Sequence, residues 1–175
     1  MKNSNFSTRE MGRIAIFAAL TAILAFVVIP LPFSPVPVSG QTLGVMLAGL
    51  YLSGRNAFFS QLIYTFLGVI GLPVFAGGSS GIGVLFGPSG GFIWGFLLGA
   101  YIIGKLTEDE SNKSWIINTG ILVTGGVVAI YFPGLIQFSL LMGVSIIEAF
   151  SMVVFPFLPG DILKIIVSLF MYKKI

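Results

Sequence analysis

Two oppositely charged residues stand three apart in Pro159-Gly160-Asp161-Ile162-Leu163-Lys164. On a helix that spacing sets both side chains on one face, which Ser168 continues a turn later. A carboxylate offers acceptors to a pair of ligand N–H groups, and an ammonium offers donors to a carbonyl or carboxylate. Together they suit a neutral or zwitterionic polar head group. A second reading stays open beside this one. The pair would then be an intrahelical ion pair that caps a helix, with Asp161 gaining from the macrodipole at the N-terminus.

Three further clusters are candidates. Residues 71–91 hold eight glycines, too many for a stable helix. Glycine lets backbone approach a ligand closely and supplies turns with positive φ. Phe75, Val84, Leu85 and Phe86 make this stretch a pocket wall or lid in preference to a solvated linker. Gln41, after the proline-rich run that ends in Val38-Ser39-Gly40, is placed either to bond a ligand or to satisfy loop backbone. Gln61, Tyr64 and Thr65 share a helix face, where polar contact between helices is the commoner use. Ala15, Ala18, Ala19 and Ala22 form two overlapping small-xxx-small patterns. These serve either internal packing or, if they face outward, the docking of another helix.

Other chemistries are excluded. The chain has no Cys and no His, which removes thiol nucleophiles, Cys/His metal sites and imidazole acid–base catalysis. No G-x-x-x-x-G-K-[ST] loop occurs, so the chain does not hydrolyse a nucleotide by that route. A small membrane enzyme would have little to work with. The formal charge of +3 comes from topology and is not a nucleic-acid footprint.

The elements that must position these residues are set by composition. Hydrophobic residues make up 56% of the 175 and charged residues only 9%, with a mean hydropathy of +1.04. A soluble domain carries about 25% charged residues, so lipid is the expected solvent. In lipid every backbone polar group must be paired internally, which leaves helices or closed barrels. Barrel strands alternate in polarity, whereas Ile14–Ile29 and Phe92–Ile103 are continuously apolar. The expectation is an all-α integral membrane protein, one domain over 1–175, with six helices over 11–29, 40–53, 56–71, 89–105, 115–132 with an extension, and 160–172. The second and sixth are short for a hydrocarbon core of about 30 Å.

With both termini cytoplasmic, Lys2, Arg9, Arg13, Arg55, Lys105, Lys113, Lys173 and Lys174 all fall on the inner side, as the positive-inside rule expects. Lys164 is the ninth basic residue. Lys2, Arg9 and Arg13 before an apolar run resemble a signal peptide, but no small-x-small cleavage site follows, so an uncleaved first span is expected. A seventh span over 134–156 would put Glu148 inside the membrane and Lys173-Lys174 outside, both costly. The expectation is instead an outer amphipathic segment over 143–158. All nine prolines then fall at outer positions, and the inner connections are tight, as at Ser53-Gly54-Arg55. Proline disrupts helices, and irregular backbone at membrane depth is tolerated only where it is buried or lines a cavity. A pocket opening outward is expected.

Five motifs in order resemble one family over essentially the whole chain. They are Pro35-Val36-Pro37-Val38, Gln41-Thr42-Leu43-Gly44-Val45, Gly71-Leu72-Pro73-Val74-Phe75-Ala76-Gly77-Gly78, Gly87-Pro88-Ser89-Gly90-Gly91 and Pro159-Gly160-Asp161-Ile162-Leu163-Lys164. The chain resembles the BioY family, biotin-specific S-components of energy-coupling-factor (ECF) transporters of prokaryotic plasma membranes. The resemblance implies a six-helix transmembrane bundle that binds biotin with high affinity at an outward-opening site, with biotin as transported substrate and no cofactor. It implies docking through helix-1 small residues, here Ala15, Ala18, Ala19 and Ala22, onto a transmembrane coupling protein (T-component) that carries two cytosolic ATPases. Asp161 and Lys164 match the family's ligand-contacting Asp and Lys. Some relatives carry an Asn or Arg in the glycine-rich region. Here Ala76-Gly77-Gly78 and Ser89-Gly90-Gly91 stand there, leaving contacts to backbone or to Ser79, Ser80 and Ser89. The expected ligand-binding set is thus Asp161, Lys164, Gln41, Phe75, Gly77, Gly78, Ser79 and Ser89. Rival readings are a stand-alone secondary transporter or facilitator, and an S-component for another vitamin.

Overall fold

The computed structural model describes residues 7–108 and 114–173. Lys2, Asp109, Glu110, Lys113 and Lys174 lie outside the described residues, as does the side chain of Lys173. Helix α1, Thr8–Leu24, starts on a capping box in which Ser7 and Glu10 satisfy each other's backbone N–H groups. The Glu10 carboxylate also accepts from the Ser7 hydroxyl and from Asn56 Nδ2.

The expected first helix over 11–29 ends early. After Leu24 the chain closes two short turns, Phe26 N–H to Ile23 and Val27 N–H to Leu24. It then forms an antiparallel hairpin of β1, Val28–Leu31, and β2, Ser34–Ser39. The physical reason is the proline spacing. Pro30, Pro32, Pro35 and Pro37 cannot donate to a helix, but a two-strand ribbon leaves one edge of each strand free of ladder bonds. The register shifts between Ile29 and Leu31, at Pro30.

Helix α2, Gln41–Tyr51, is buried along nearly its whole length and runs through the middle of the bundle. Eleven residues rise roughly 16 Å, far short of a hydrocarbon core. Leu52 and Ser53 turn the chain tightly into α3, Gly54–Val69, which Ser53 caps. The glycine-rich stretch is irregular, as expected. It holds a 3₁₀ turn at Ala76–Gly78 and the single-turn helix α4, Ile82–Leu85. Helix α5, Gly90–Glu108, runs three residues beyond the expected end.

Helix α6, Trp115–Val123, passes through a π-helical turn, Thr124–Val128, into α7, Ala129–Met142. The expected extension past 132 is therefore present, and Pro133 sits inside a helix instead of in a connection. Its missing N–H leaves a gap in the ladder, in a helix whose preceding turn, with Gly125 and Gly126, is already widened to π geometry. Gly143, at φ 66°, ends the helix in the left-handed conformation. The break at Gly143 separates α7 from the short amphipathic α8, Ile146–Val153, so no helix runs unbroken over 134–156. Helix α9, Leu158–Lys173, follows a 3₁₀ turn at Phe155–Phe157.

The chain is thus mostly helical. Among the described residues, three helical stretches are long and apolar enough to cross a membrane: Gly90–Glu108, Trp115–Met142 and Ile146–Tyr172. Their outward faces carry large apolar side chains such as Leu98, Phe132, Leu140 and Phe170, as lipid contact requires. The bundle is held by glycines at close crossings. A Cβ on Gly91 would lie 2.3 Å from the Pro133 carbonyl oxygen, one on Gly95 2.6 Å from Ile130 Cα, and one on Gly99 2.4 Å from the Gly125 carbonyl oxygen. Backbone meets backbone along that whole seam, which only glycine permits.

Candidate functional site

A cavity of about 530 Å³, mouth included, lies at the proline-rich end of the bundle. Its walls come from six parts of the chain: β2 (Val36 to Ser39), the start of α2 (Gln41, Thr42), the glycine-rich stretch (Phe75, Ala76, Val84, Ser89), α5 (Phe92, Ile93, Phe96), α7 with the 3₁₀ turn (Tyr131, Phe157), and α9 (Asp161, Lys164). Most of the wall is apolar. Phe92, Tyr131 and Phe157 pack as a three-ring cluster with centroids 5.8 to 6.4 Å apart.

The polar groups form two clusters. Asp161 is only 2% exposed, a charge that would be costly without partners. Lys164 donates to its Oδ1 at 3.1 Å, and the Thr42 hydroxyl lies 3.5 Å from the same oxygen. The Tyr131 hydroxyl donates to Oδ2. Lys164 Nζ also donates to Thr42 Oγ1 at 2.7 Å. An ammonium has three N–H donors, so one remains beyond these two bonds and the side chain is 14% exposed. The second cluster fixes Gln41. Ser39 Oγ donates to its Oε1 at 2.7 Å and its Nε2 donates to the Tyr64 hydroxyl. Those bonds orient the amide and leave one N–H and one oxygen lone pair for another partner.

Local sequence explains the placement. Pro159 in the first turn of α9 needs no N–H there, and Asp161 sits in that turn. Gly160 lies against β2, where a Cβ would stand 3.6 Å from Val38, an ordinary packing distance. Gln137 holds the glycine-rich stretch to α7 by donating to the carbonyls of Leu85 and Gly87, both at 2.8 Å.

Of the expected ligand set, the structure brings Asp161, Lys164, Gln41, Phe75 and Ser89 to the cavity wall. Gly77, Gly78 and Ser79 are not among the lining residues. They make the turn behind Phe75, where Gly77 N–H bonds the Ala25 carbonyl and Ser79 Oγ bonds the Ala76 carbonyl. Ser168 lies deeper, with its hydroxyl 3.9 Å from Met46 Sδ. Tyr131, Thr42 and Ser39 join the site without having been singled out by spacing. Tyr131 stands alone in an apolar run, two residues before Pro133, and a buried tyrosine hydroxyl needs a partner. Helix α1 divides its alanines: Ala15 and Ala19 are exposed, Ala22 is half-buried, and Ala18 is buried at 1%.

A membrane-embedded helical bundle with an apolar cavity and a few convergent polar groups is the architecture of a small-molecule carrier or receptor. The comparisons with known proteins agree. The BioY family model matches residues 1–175. The chain is 38% identical over 168 residues to the "Probable biotin transporter BioY" of Bacillus subtilis, covering 95% of this chain and 89% of that one. It is 36% identical over 171 residues to the "Biotin transporter BioY" of Rhizobium etli, covering 93% and 90%. A crystal structure of the S-component for biotin from an ECF-type ABC transporter superposes with a TM-score of 0.89 at 28% identity, covering 97% of this chain and 94% of that one. The chain belongs to the BioY family, a family of transporter S-components and not of enzymes.

Proposed function

We propose that this chain captures biotin at the outer face of a prokaryotic plasma membrane and carries it inward as the S-component of an ECF transporter. The observation that carries this reading is the buried Asp161–Lys164–Thr42–Tyr131 cluster opening on an otherwise apolar cavity. Biotin combines an apolar ring and chain with a ureido head and a carboxylate. Asp161 keeps acceptor capacity for ureido N–H groups, and Lys164 keeps a donor for an oxygen. Aromatic and aliphatic walls suit the apolar remainder.

Four basic residues, Arg9, Arg13, Arg55 and Lys105, lie at the end of the bundle opposite the cavity that Lys164 lines, which supports cytoplasmic termini and an outward site under the positive-inside rule. In this reading the chain passes between the two faces six times, through α1, α2, α3, α5, the continuous α6–α7 and α9, with the short α2 enclosed by the other helices, and α8 lies at the outer boundary. No G-x-x-x-x-G-K-[ST] loop occurs in the sequence, and in this reading a T-component and two cytosolic ATPases supply the energy. Ala15 and Ala19, exposed on α1, are the small residues available to a partner helix.

Calorimetry on detergent-purified protein tests the ligand. Biotin should bind, riboflavin and thiamine should not, and folded Asp161→Asn and Lys164→Ala variants should lose biotin. Well-folded, ligand-free wild type that ignores biotin would overturn the reading.

A further inference from the structure

Phe75 lines the cavity yet is 1% exposed, and its ring rests on Gly68 of α3. A Cβ at Gly68 would lie 2.2 Å from Phe75 Cζ, 2.4 Å from Cε1 and 2.6 Å from Cε2. All three are atoms at the far end of a side chain, so a methyl group there displaces the ring if the ring has somewhere to go. Three of its directions are closed. Phe75 N–H donates to Ser79 O at 3.0 Å, Gly78 N–H to Phe75 O at 2.9 Å, and Gly77 N–H to Ala25 O at 3.0 Å, which ties the turn to the end of α1. Tyr64, fully buried and bonded to Gln41, meets the ring edge-on with centroids 5.7 Å apart. Gly81 N–H, bonded to Gly68 O at 2.8 Å, holds the far side of the turn on the same helix. The cavity is the direction left.

We infer that Gly68 is a specificity-determining positioning residue: by carrying no side chain it lets Phe75 stand back, and so sets the cavity width open to the broadest part of the ligand. Gly134 backs another wall aromatic, Phe92, but differs in kind. A Cβ there would lie 2.6 Å from Phe92 Cδ1 and Cε1 and 2.7 Å from Cγ, along one edge of the ring down to its root on a packed helix. Crowding at Gly134 separates α7 from α5, whereas crowding at Gly68 narrows the site.

This inference rests on the biotin reading for its ligand. The test measures biotin and desthiobiotin, a slimmer analogue without the sulfur ring, on wild type, Gly68→Ala, Phe75→Leu and the double variant. Overpacking of this kind weakens biotin about tenfold or more in Gly68→Ala and weakens desthiobiotin less. In the Phe75→Leu background the same change costs biotin less than about threefold, the signature of a direct pair. Equal biotin affinity in folded Gly68→Ala and wild type overturns the inference, and so does an equal loss for both ligands that persists in the Phe75→Leu background. Should Gly68→Ala fail to fold, recovery of fold and binding in the double variant supports the ring contact, and no recovery overturns it. Wild type that binds neither ligand defeats the biotin reading instead. The ligand-free melting-temperature cycle then still reads the contact, and additive shifts there overturn it.

Discussion

The two ends of the bundle solve opposite problems. At the cavity end three long connections, rich in proline and glycine, surround an open volume and hold buried polar groups against one another. At the other end, among the described residues, α3 and α5 meet backbone to backbone. Gly54 and Gly104 bring α3 and α5 together so closely that a Cβ on Gly104 would lie 2.7 Å from Gly54 Cα. There Glu108 accepts the Gly54 N–H at 2.7 Å and a Lys105 N–H at 3.0 Å, and Tyr51 stacks on Phe17 and meets Tyr172 edge-on. The difference teaches where this protein can keep a site. Backbone-to-backbone crossings fix the frame at one end, which lets irregular backbone at the other be spent on shape.

Breaking the frame should have the largest effect. Gly104→Leu, or Gly95→Leu in the α5–α7 seam, forces backbone apart where no side chain can yield. We expect loss of the folded, monodisperse species, read by size-exclusion chromatography and thermal melting. A folded Gly95→Leu protein would mean that the seam is looser than these distances indicate.

Next comes the charge cluster. Asp161→Asn leaves Lys164 partly buried beside a neutral amide, and cutting one partner of such a pair typically costs about 2–5 kcal/mol. Biotin affinity should fall by roughly two orders of magnitude or more while the melting temperature falls less than in the seam variants. Tyr131→Phe removes one hydrogen bond to a charged group, about 1.5–3 kcal/mol, and should weaken biotin by about tenfold in calorimetry. If Tyr131→Phe binds like wild type, the hydroxyl serves packing alone.

The smallest contrast lies on α1 and sharpens the division of its alanines. Ala18→Leu, at a buried position, should destabilise the isolated protein by about 1–3 kcal/mol. Ala15→Leu, at an exposed one, should stay within about 0.5 kcal/mol in the same denaturation assay. Ala15→Leu should nevertheless lower the yield of complex when a T-component and its ATPases are co-expressed.

Much of the site was legible because charge in an apolar chain is conspicuous. Asp161 and Lys164 stand out where almost nothing else is polar, and proline marks the irregular half by simple steric rule. Tyr131 and Thr42 were harder to see: each is an ordinary residue in an apolar or small-residue run, and only the approach of α7 and α2 to α9 gives it a partner. Gly91, Gly95 and Gly99 repeat every four residues as visibly as the alanines of α1. Their partner strip, from Gly125 to Pro133, has no matching regularity because a π turn interrupts it.

Composition determined that lipid is the solvent, and the unbroken apolar runs determined that helix is the response, because backbone must be paired in hydrocarbon and barrel strands alternate in polarity. Local chemistry determined the Ser7 cap of α1, the left-handed end of α7 at Gly143 and the irregular stretch after Gly71. Only tertiary structure decided that the proline run folds as a hairpin over the cavity, that Gly77 and Ser79 stand behind the wall while Phe75 forms it, and that Ala18 faces in where Ala15 faces out. Those choices depend on which helix lies beside which, and that is set by close packing among residues far apart in the chain.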